Sequence, residues 1–197
     1  MKIALGSDHR GGKVAYRLVR DFFLRGHYSA SEDVVSLPDD NQIVGSYFID
    51  LDLKKIWPLE YGRPYDAHIE DASNSAATFA IDEAKRCLDY PDVAAAVAKV
   101  VSTGAADRGI LICGTGVGMG IMANKFRNIR AAVCYSEVAA ELSRLHNDAN
   151  VLCISGEFLS VSAIESLVRL WLDTEYEGGR HIPRLAKIVE IEKKTGL

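Results

Sequence analysis

The sequence has few cysteines, and they share no spacing that builds a site. Cys87, Cys113, Cys134 and Cys153 are the only four among 197 residues, with no CxxC and no close Cys/His pairing. That excludes a disulfide framework and a zinc site and leaves reduced thiols. An excess of positive charge is also lacking: 23 lysines and arginines are interspersed with 27 aspartates and glutamates, for a net charge of -4. Without a basic cluster interleaved with aromatics, a nucleic-acid partner is excluded. No apolar run approaches the ~20 residues that cross a bilayer, which excludes a membrane span. Met1-Lys2-Ile3-Ala4-Leu5-Gly6 enters a strand pattern directly instead of a signal peptide, so a cytoplasmic location is expected.

What is present is organised around residues 108–130, RGILICGTGVGMGIMANKFRNIR. Gly109-Ile110-Leu111-Ile112-Cys113 is almost wholly apolar and reads as a strand buried on both faces. Gly114-Thr115-Gly116-Val117-Gly118 stops it, and alternate glycines let a ligand approach the backbone. A helix beginning near Met119 would aim its free N–H groups at that opening, which is the logic of an anion-binding turn. Cys113, at the strand end, is then a candidate nucleophile or base. Taken alone, a buried core thiol is the commoner role for such a cysteine.

Elsewhere the pattern alternates between strand and helix. Residues 2–6 read as a strand, and Ser7-Asp8-His9-Arg10-Gly11-Gly12 as the turn after it, with Asp8 either in a ligand crevice or capping the next helix. Residues 13–25 carry a helical stripe of Val14, Leu18 and Phe22, stopped by Gly26. Between His27 and Tyr90 turn-rich clusters surround a strand-like run at 43–51, and this stretch reads as an ordered insertion at about 28–88 in a single domain of residues 1–197. His68, among Asp66, Glu70 and Asp71, reads as a solvated surface group.

Residues 92–102 predict a helix, 128–135 contain a strand, and Ser136 caps a helix with Val138, Leu142 and Leu145 on one stripe. Residues 150–156 predict another strand, and Ser162-Ala163-Ile164-Glu165 has capping-box spacing before Leu167, Val168, Trp171 and Leu172. A loop at 177–184 precedes a closing amphipathic helix reaching Lys194. The expected fold is α/β, a mostly parallel sheet covered on both faces.

Polar residues collect at the strand ends: Asp8 and His9, Cys113 and Thr115, then His146-Asn147-Asp148, with Arg180 and Arg184 in the tail loop. Individually, His146 could be a cation at a helix C-terminus and the two arginines a solvated face. Together they offer a thiol, an imidazole, a carboxylate, backbone amides and a pair of guanidinium groups, a set suited to proton transfer on a phosphorylated sugar.

At these residues the sequence resembles the ribose-5-phosphate isomerase B family and its galactose-6-phosphate isomerase relatives. The resemblance is carried by Gly6-Ser7-Asp8-His9, Asp89-Tyr90-Pro91-Asp92, residues 109–125, Ile129-Arg130-Ala131, residues 143–152, and Tyr176-Glu177-Gly178-Gly179-Arg180-His181 with Arg184. It covers the chain outside about 28–88. It implies a Rossmann-like three-layer α/β/α sandwich and a homodimer with shared active sites, with the pairing of dimers into tetramers left open. It also implies aldose–ketose isomerisation in the pentose phosphate pathway, ribose 5-phosphate to ribulose 5-phosphate, with no cofactor and no metal.

Carried over by residue, the resemblance makes Cys113 the base that moves a proton between C2 and C1 through a cis-enediolate, assisted by Thr115. Backbone N–H groups of Gly114, Gly116 and Gly118 hold the oxyanion, and His146 with Asp8 opens the furanose ring. His9, Arg180 and Arg184 hold the phosphate, while Asn147 and Tyr90 orient hydroxyls. The tail loop and the His146-Asn147-Asp148 segment serve the neighbouring subunit's site in that family.

Two departures bear on specificity. Where the family usually has a phosphate-binding arginine, this chain has Glu157, whose charge repels a phosphate dianion unless it faces away. The insertion could cover the crevice or enlarge a subunit contact. Isomerisation of another phosphorylated aldose and non-catalytic phosphosugar binding therefore stand as alternatives. A nucleotide-dependent oxidoreductase is disfavoured, because the glycine turn lies on a middle strand and no acidic residue ends a following strand at the spacing of a ribose contact.

Overall fold

The computed structural model describes residues 1–20, 45–50, 55–59 and 89–196. Along the chain run β1 (Lys2–Ser7), α1 (Gly12–Arg17), β2 (Gly45–Asp50), β3 (Lys55–Leu59), α2 (Tyr90–Ser102), β4 (Arg108–Cys113), α3 (Val117–Ala123), β5 (Ala131–Val133), α4 (Glu137–Asn147), β6 (Val151–Ser155), α5 (Val161–Asp173), a 3-10 turn (Gly179–His181) and α6 (Ile182–Thr195).

The strands form one sheet in the order β3-β2-β1-β4-β6-β5. β1, β4, β6 and β5 are parallel to one another, as the alternating pattern requires. β2 and β3 are antiparallel, to β1 and to each other, which the alternation did not foretell. Only residues 51–54 separate those two strands, far too few for a parallel crossover, so an antiparallel hairpin is the pairing left to them. The fold class is thus α/β with a mostly parallel sheet. The rest of the 28–88 stretch, His68 and Cys87 lie outside the described residues.

Period-two alternation divides the parallel strands between two cores. On one face Ile3, Leu5, Ile110, Ile112, Leu152 and Ile154 pack with α1, α4 and α5, where Trp171 is fully buried. On the other, Ala4, Leu111, Cys113, Val151 and Cys153 pack with Val93, Val97 and Val101 of α2 and Met119 of α3. Helices cover both faces, so β4 and β6 are buried along their whole length, as their apolar runs 109–113 and 151–154 require.

Several boundaries differ from the sequence reading. α2 begins at Tyr90, two residues early, because Pro91 fits the first turn of a helix. Ser136 caps α4 as expected, its Oγ accepting the Ala139 N–H at 3.2 Å. The cap of α5 is Ser160, whose Oγ accepts from Ala163, and Ser162 lies inside the helix. Arg184 sits in the first turn of α6 instead of a loop. The stripe of α4 is inverted: Val138 and Leu142 are exposed, while Ala140, Ser143 and Arg144 are buried. Trp171 imposes this, since its indole N–H donates to Ser143 Oγ at 3.2 Å and its ring lies under the Arg144 guanidinium.

Candidate active site

Eight of the expected site residues gather at the carboxyl end of the sheet. Asp8 follows β1 and is buried, its Oδ1 accepting the N–H groups of Arg10 at 2.9 Å and Gly11 at 3.0 Å. The carboxylate therefore does cap the turn, which also fixes it beside β4, where the Asp8 N–H reaches the Ile112 carbonyl. His9, next in the chain, is exposed.

Cys113 ends β4 and is 5 % exposed. Its Sγ accepts the N–H of Gly116 at 3.0 Å, so that amide, expected to hold an oxyanion, is instead engaged with the thiol. Gly116 has φ 78°, the left-handed region, and a Cβ there would stand 3.1 Å from the Ile154 backbone; only glycine fits. Thr115 Oγ1 accepts the Val117 N–H at 3.2 Å, and the Thr115 carbonyl accepts the Tyr135 hydroxyl at 2.8 Å. From the end of β6, Gly156 N–H donates to the Cys113 carbonyl and Ser155 Oγ to the Gly114 carbonyl. The Tyr90 ring lies against Gly118, where a Cβ would come within 2.7 Å of it. Asp8, His9, Tyr90, Cys113, Gly114, Thr115, Gly116 and Gly118 thus share one rim.

His146, Asn147, Arg180 and Arg184 form a second group. α4 returns against the strand direction and ends at Asn147, where Asp148 takes φ 44°. Arg130 bonds the carbonyls of Asn147 and Asp148 and pairs with the Asp148 carboxylate at 2.7 Å. Buried Arg144 pairs with the same carboxylate at 2.8 Å and donates to the carbonyls of Ala149 and Thr174. The loop after α5 is tied down by Glu177 N–H on the Leu145 carbonyl.

There the rings of His146 and His181 stack, with centroids 4.3 Å apart and planes within 12°. Glu177 Oε2 lies 3.8 Å from His146 Nε2 and 3.6 Å from His181 Nε2, and Arg180 Nε donates to His181 Nε2 at 3.3 Å. Burial holds His181 below the ordinary histidine value; His146, Arg180 and Arg184 add to this and Glu177 opposes it. His146, Glu177 and His181 bring donor atoms within 4.8 Å of one another. The stacked rings aim their lone pairs along nearly parallel lines, so one ion cannot lie in both ring planes at the ~2.1 Å of a metal bond. The cluster suits hydrogen bonding and proton handling.

The two groups occupy opposite ends of the sheet. Cys113 pairs in register with Ser155, the last residue of β6, whereas His146 and Asn147 precede Val151, its first. Five strand residues span about 13 Å, so Cys113 and Asp8 do not meet His146, Asn147, Arg180 and Arg184 within one chain.

A family model described as ribose/galactose isomerase matches residues 65–188. The chain belongs to that family. Ribose-5-phosphate isomerase B of Escherichia coli is 49 % identical over 106 residues, which cover 54 % of this chain and 71 % of that one. Among solved structures, ribose-5-phosphate isomerase B of Clostridium thermocellum aligns with TM-score 0.65 and 33 % identity over 98 % of both chains. The Mycoplasma genitalium enzyme, solved with bound ribulose-5-phosphate, aligns with TM-score 0.53 and 46 % identity over 55 % of this chain and 72 % of its own.

For a member of the ribose/galactose isomerase family, three residues at these rims escaped the sequence reading. Tyr135 fixes the Thr115 carbonyl, and its place just beyond β5 follows the same strand-end rule that singled out Asp8. Glu177 and His181 stand in the tail motif beside Arg180, but their approach to His146 depends on how that loop folds back over α4.

Proposed function

We propose that this isomerase interconverts ribose 5-phosphate and ribulose 5-phosphate through a cis-enediolate. The observation that carries the reading is Cys113: a thiol at the end of a central strand, its sulfur held by the Gly116 N–H, on the rim that also presents Asp8 and Thr115. Cys113 takes the proton from C2 and returns it to C1, with Thr115 beside it. Gly114 and Gly118 offer backbone N–H groups to the developing oxyanion, while the Gly116 N–H positions the sulfur. His146, with Asp8, opens the furanose ring; His9, Arg180 and Arg184 hold the phosphate; Tyr90 and Asn147 orient hydroxyls. The ribulose-5-phosphate bound to the Mycoplasma genitalium relative supports this choice of substrate.

Because the two groups lie at opposite ends of one sheet, a complete site takes Cys113 from one subunit and His146 from another. A homodimer with shared sites is therefore part of the proposal. It is supported by exposed apolar residues on α3 (Val117, Ile121) and α4 (Val138, Leu142), and by α6, which buries none of its residues yet exposes Ile182, Ile188 and Ile191. A single domain of residues 1–197, carrying 28–88 as an insertion, and a cytoplasmic location complete the reading. No described helix is long and apolar enough to cross a membrane.

The test is turnover of ribose 5-phosphate beside other phosphorylated aldoses, with Cys113→Ala as control. Thiol-dependent conversion of the pentose phosphate supports the proposal. Conversion of a different aldose phosphate alone supports the second reading, favoured by Glu157 lying beside the Gly114 turn. No conversion of any leaves a phosphosugar-binding protein.

A further inference from the structure

We infer that Arg10 is a substrate-binding residue for the phosphate group and that Glu157 positions it; this rests on the isomerase reading above. Arg10 directly follows His9 in the turn after β1, and its N–H is fastened to Asp8 Oδ1 at 2.9 Å. Its side chain crosses the Cys113 turn: a Cβ on Gly114 would lie 3.0 Å from Arg10 Cδ and 3.1 Å from Glu157 Oε1. Arg10 Nη1 and Glu157 Oε1 stand 3.7 Å apart, so the two side chains meet above Gly114 from two different strand ends.

Glu157 is itself fixed from below. Its N–H reaches the Gly114 carbonyl at 3.4 Å and Ser155 Oγ at 3.2 Å, and that same Oγ donates to Gly114. The acid therefore belongs to the turn that carries Cys113 and does not face away from it. Alone, it would set a negative charge on the approach of a phosphorylated substrate. Arg10 cancels that charge, and its half-exposed guanidinium has five N–H donors, more than one carboxylate occupies. A pair this long and this exposed does little for folding. Its consequence lies at the turn, where removing Arg10 exposes Glu157 to the substrate.

The experiment is a double-mutant cycle on the full chain with R10A, E157Q and R10A/E157Q, read as KM and kcat for ribose 5-phosphate and as inhibition by inorganic phosphate. R10A is expected to raise KM and the phosphate inhibition constant about tenfold while kcat changes less than about twofold. R10A/E157Q is expected to recover only the part of that loss due to the unpaired acid and to stay at least about threefold above the unaltered protein in both constants, because removing Glu157 cannot restore a lost phosphate contact. An unchanged KM and phosphate constant in R10A, or full recovery of both in R10A/E157Q, which would mean that Arg10 only screens Glu157, overturns the inference. If the unaltered protein turns over no ribose 5-phosphate, the ribose 5-phosphate reading has failed instead. Calorimetric binding of inorganic phosphate to the unaltered protein and R10A then decides the role of Arg10: weaker binding by R10A upholds it, and equal binding overturns it.

Discussion

The backbone N–H of Gly116 lies 3.0 Å from the Cys113 sulfur, and it does so because Gly116 adopts φ 78°. That one left-handed residue turns the chain after β4 and starts α3. Gly116→Ala is expected to cost at least about 1–2 kcal/mol for forcing a Cβ into this region. Crowding against Ile154 adds to the loss, and the donor moves off the sulfur. Urea denaturation should show the loss, and kcat should fall at least about tenfold.

Removal of the base itself should separate chemistry from folding. Cys113→Ala is expected to lower kcat by roughly 100- to 10,000-fold, the usual worth of a positioned acid or base. Inorganic phosphate should still bind as before, by calorimetry. Full turnover in this variant would end the assignment of Cys113.

The placement of Cys113 and His146 at opposite ends of β6 makes a prediction about mixtures. Cys113→Ala and His146→Asn homodimers should each be nearly inactive. After mixing and subunit exchange, half of the dimers carry one unaltered site, and activity should return to about a quarter of the original in a two-fold symmetric dimer. Absence of any recovery, with exchange verified by mass spectrometry, would mean that each chain builds its own site.

Arg144 joins Asp148, the Ala149 and Thr174 carbonyls and the Trp171 ring, and is almost wholly buried. Arg144→Met leaves those acceptors without their donor and is expected to cost about 3–5 kcal/mol in chemical denaturation. Lysine should not restore it, because an ammonium cannot span acceptors arranged for a planar fork.

His181 titrates below the ordinary histidine value in the folded chain. The folded state therefore binds fewer protons than the unfolded state once pH drops toward and below about 6.5, and stability declines in that direction. The melting temperature should fall between about pH 7.5 and about pH 5.5. His181→Gln, which cannot gain a proton, should flatten part of that fall.

Local chemistry made much of this molecule legible beforehand. The strands β1, β4 and β6 are short apolar runs ended by turn residues, and Ser136 announces α4 by its own side-chain acceptor. The Cys113-to-Gly118 turn is visible because alternate glycines follow a buried apolar strand that ends in a thiol. Each of these signals acts over a few residues, so the sequence carries it openly.

Other features depended on which elements came to lie side by side. The buried face of α4 follows from Trp171 needing a partner for its N–H, which brings Ser143 and Arg144 inward and leaves Val138 and Leu142 exposed. Glu157 stands as an unbalanced charge in the sequence, and only the fold sets Arg10, distant in sequence, beside it across the Gly114 turn.

By itself, then, the sequence determined the alternating α/β elements, the family and the chemical identity of the rim residues, because all of these reside in local pattern and side-chain type. The family resemblance already assigned the two groups to different subunits; tertiary structure alone decided that they stand at opposite ends of one sheet. α4 must run back along the sheet before β6 can pair in parallel with β4, and that return carries His146 a full strand length away from Cys113.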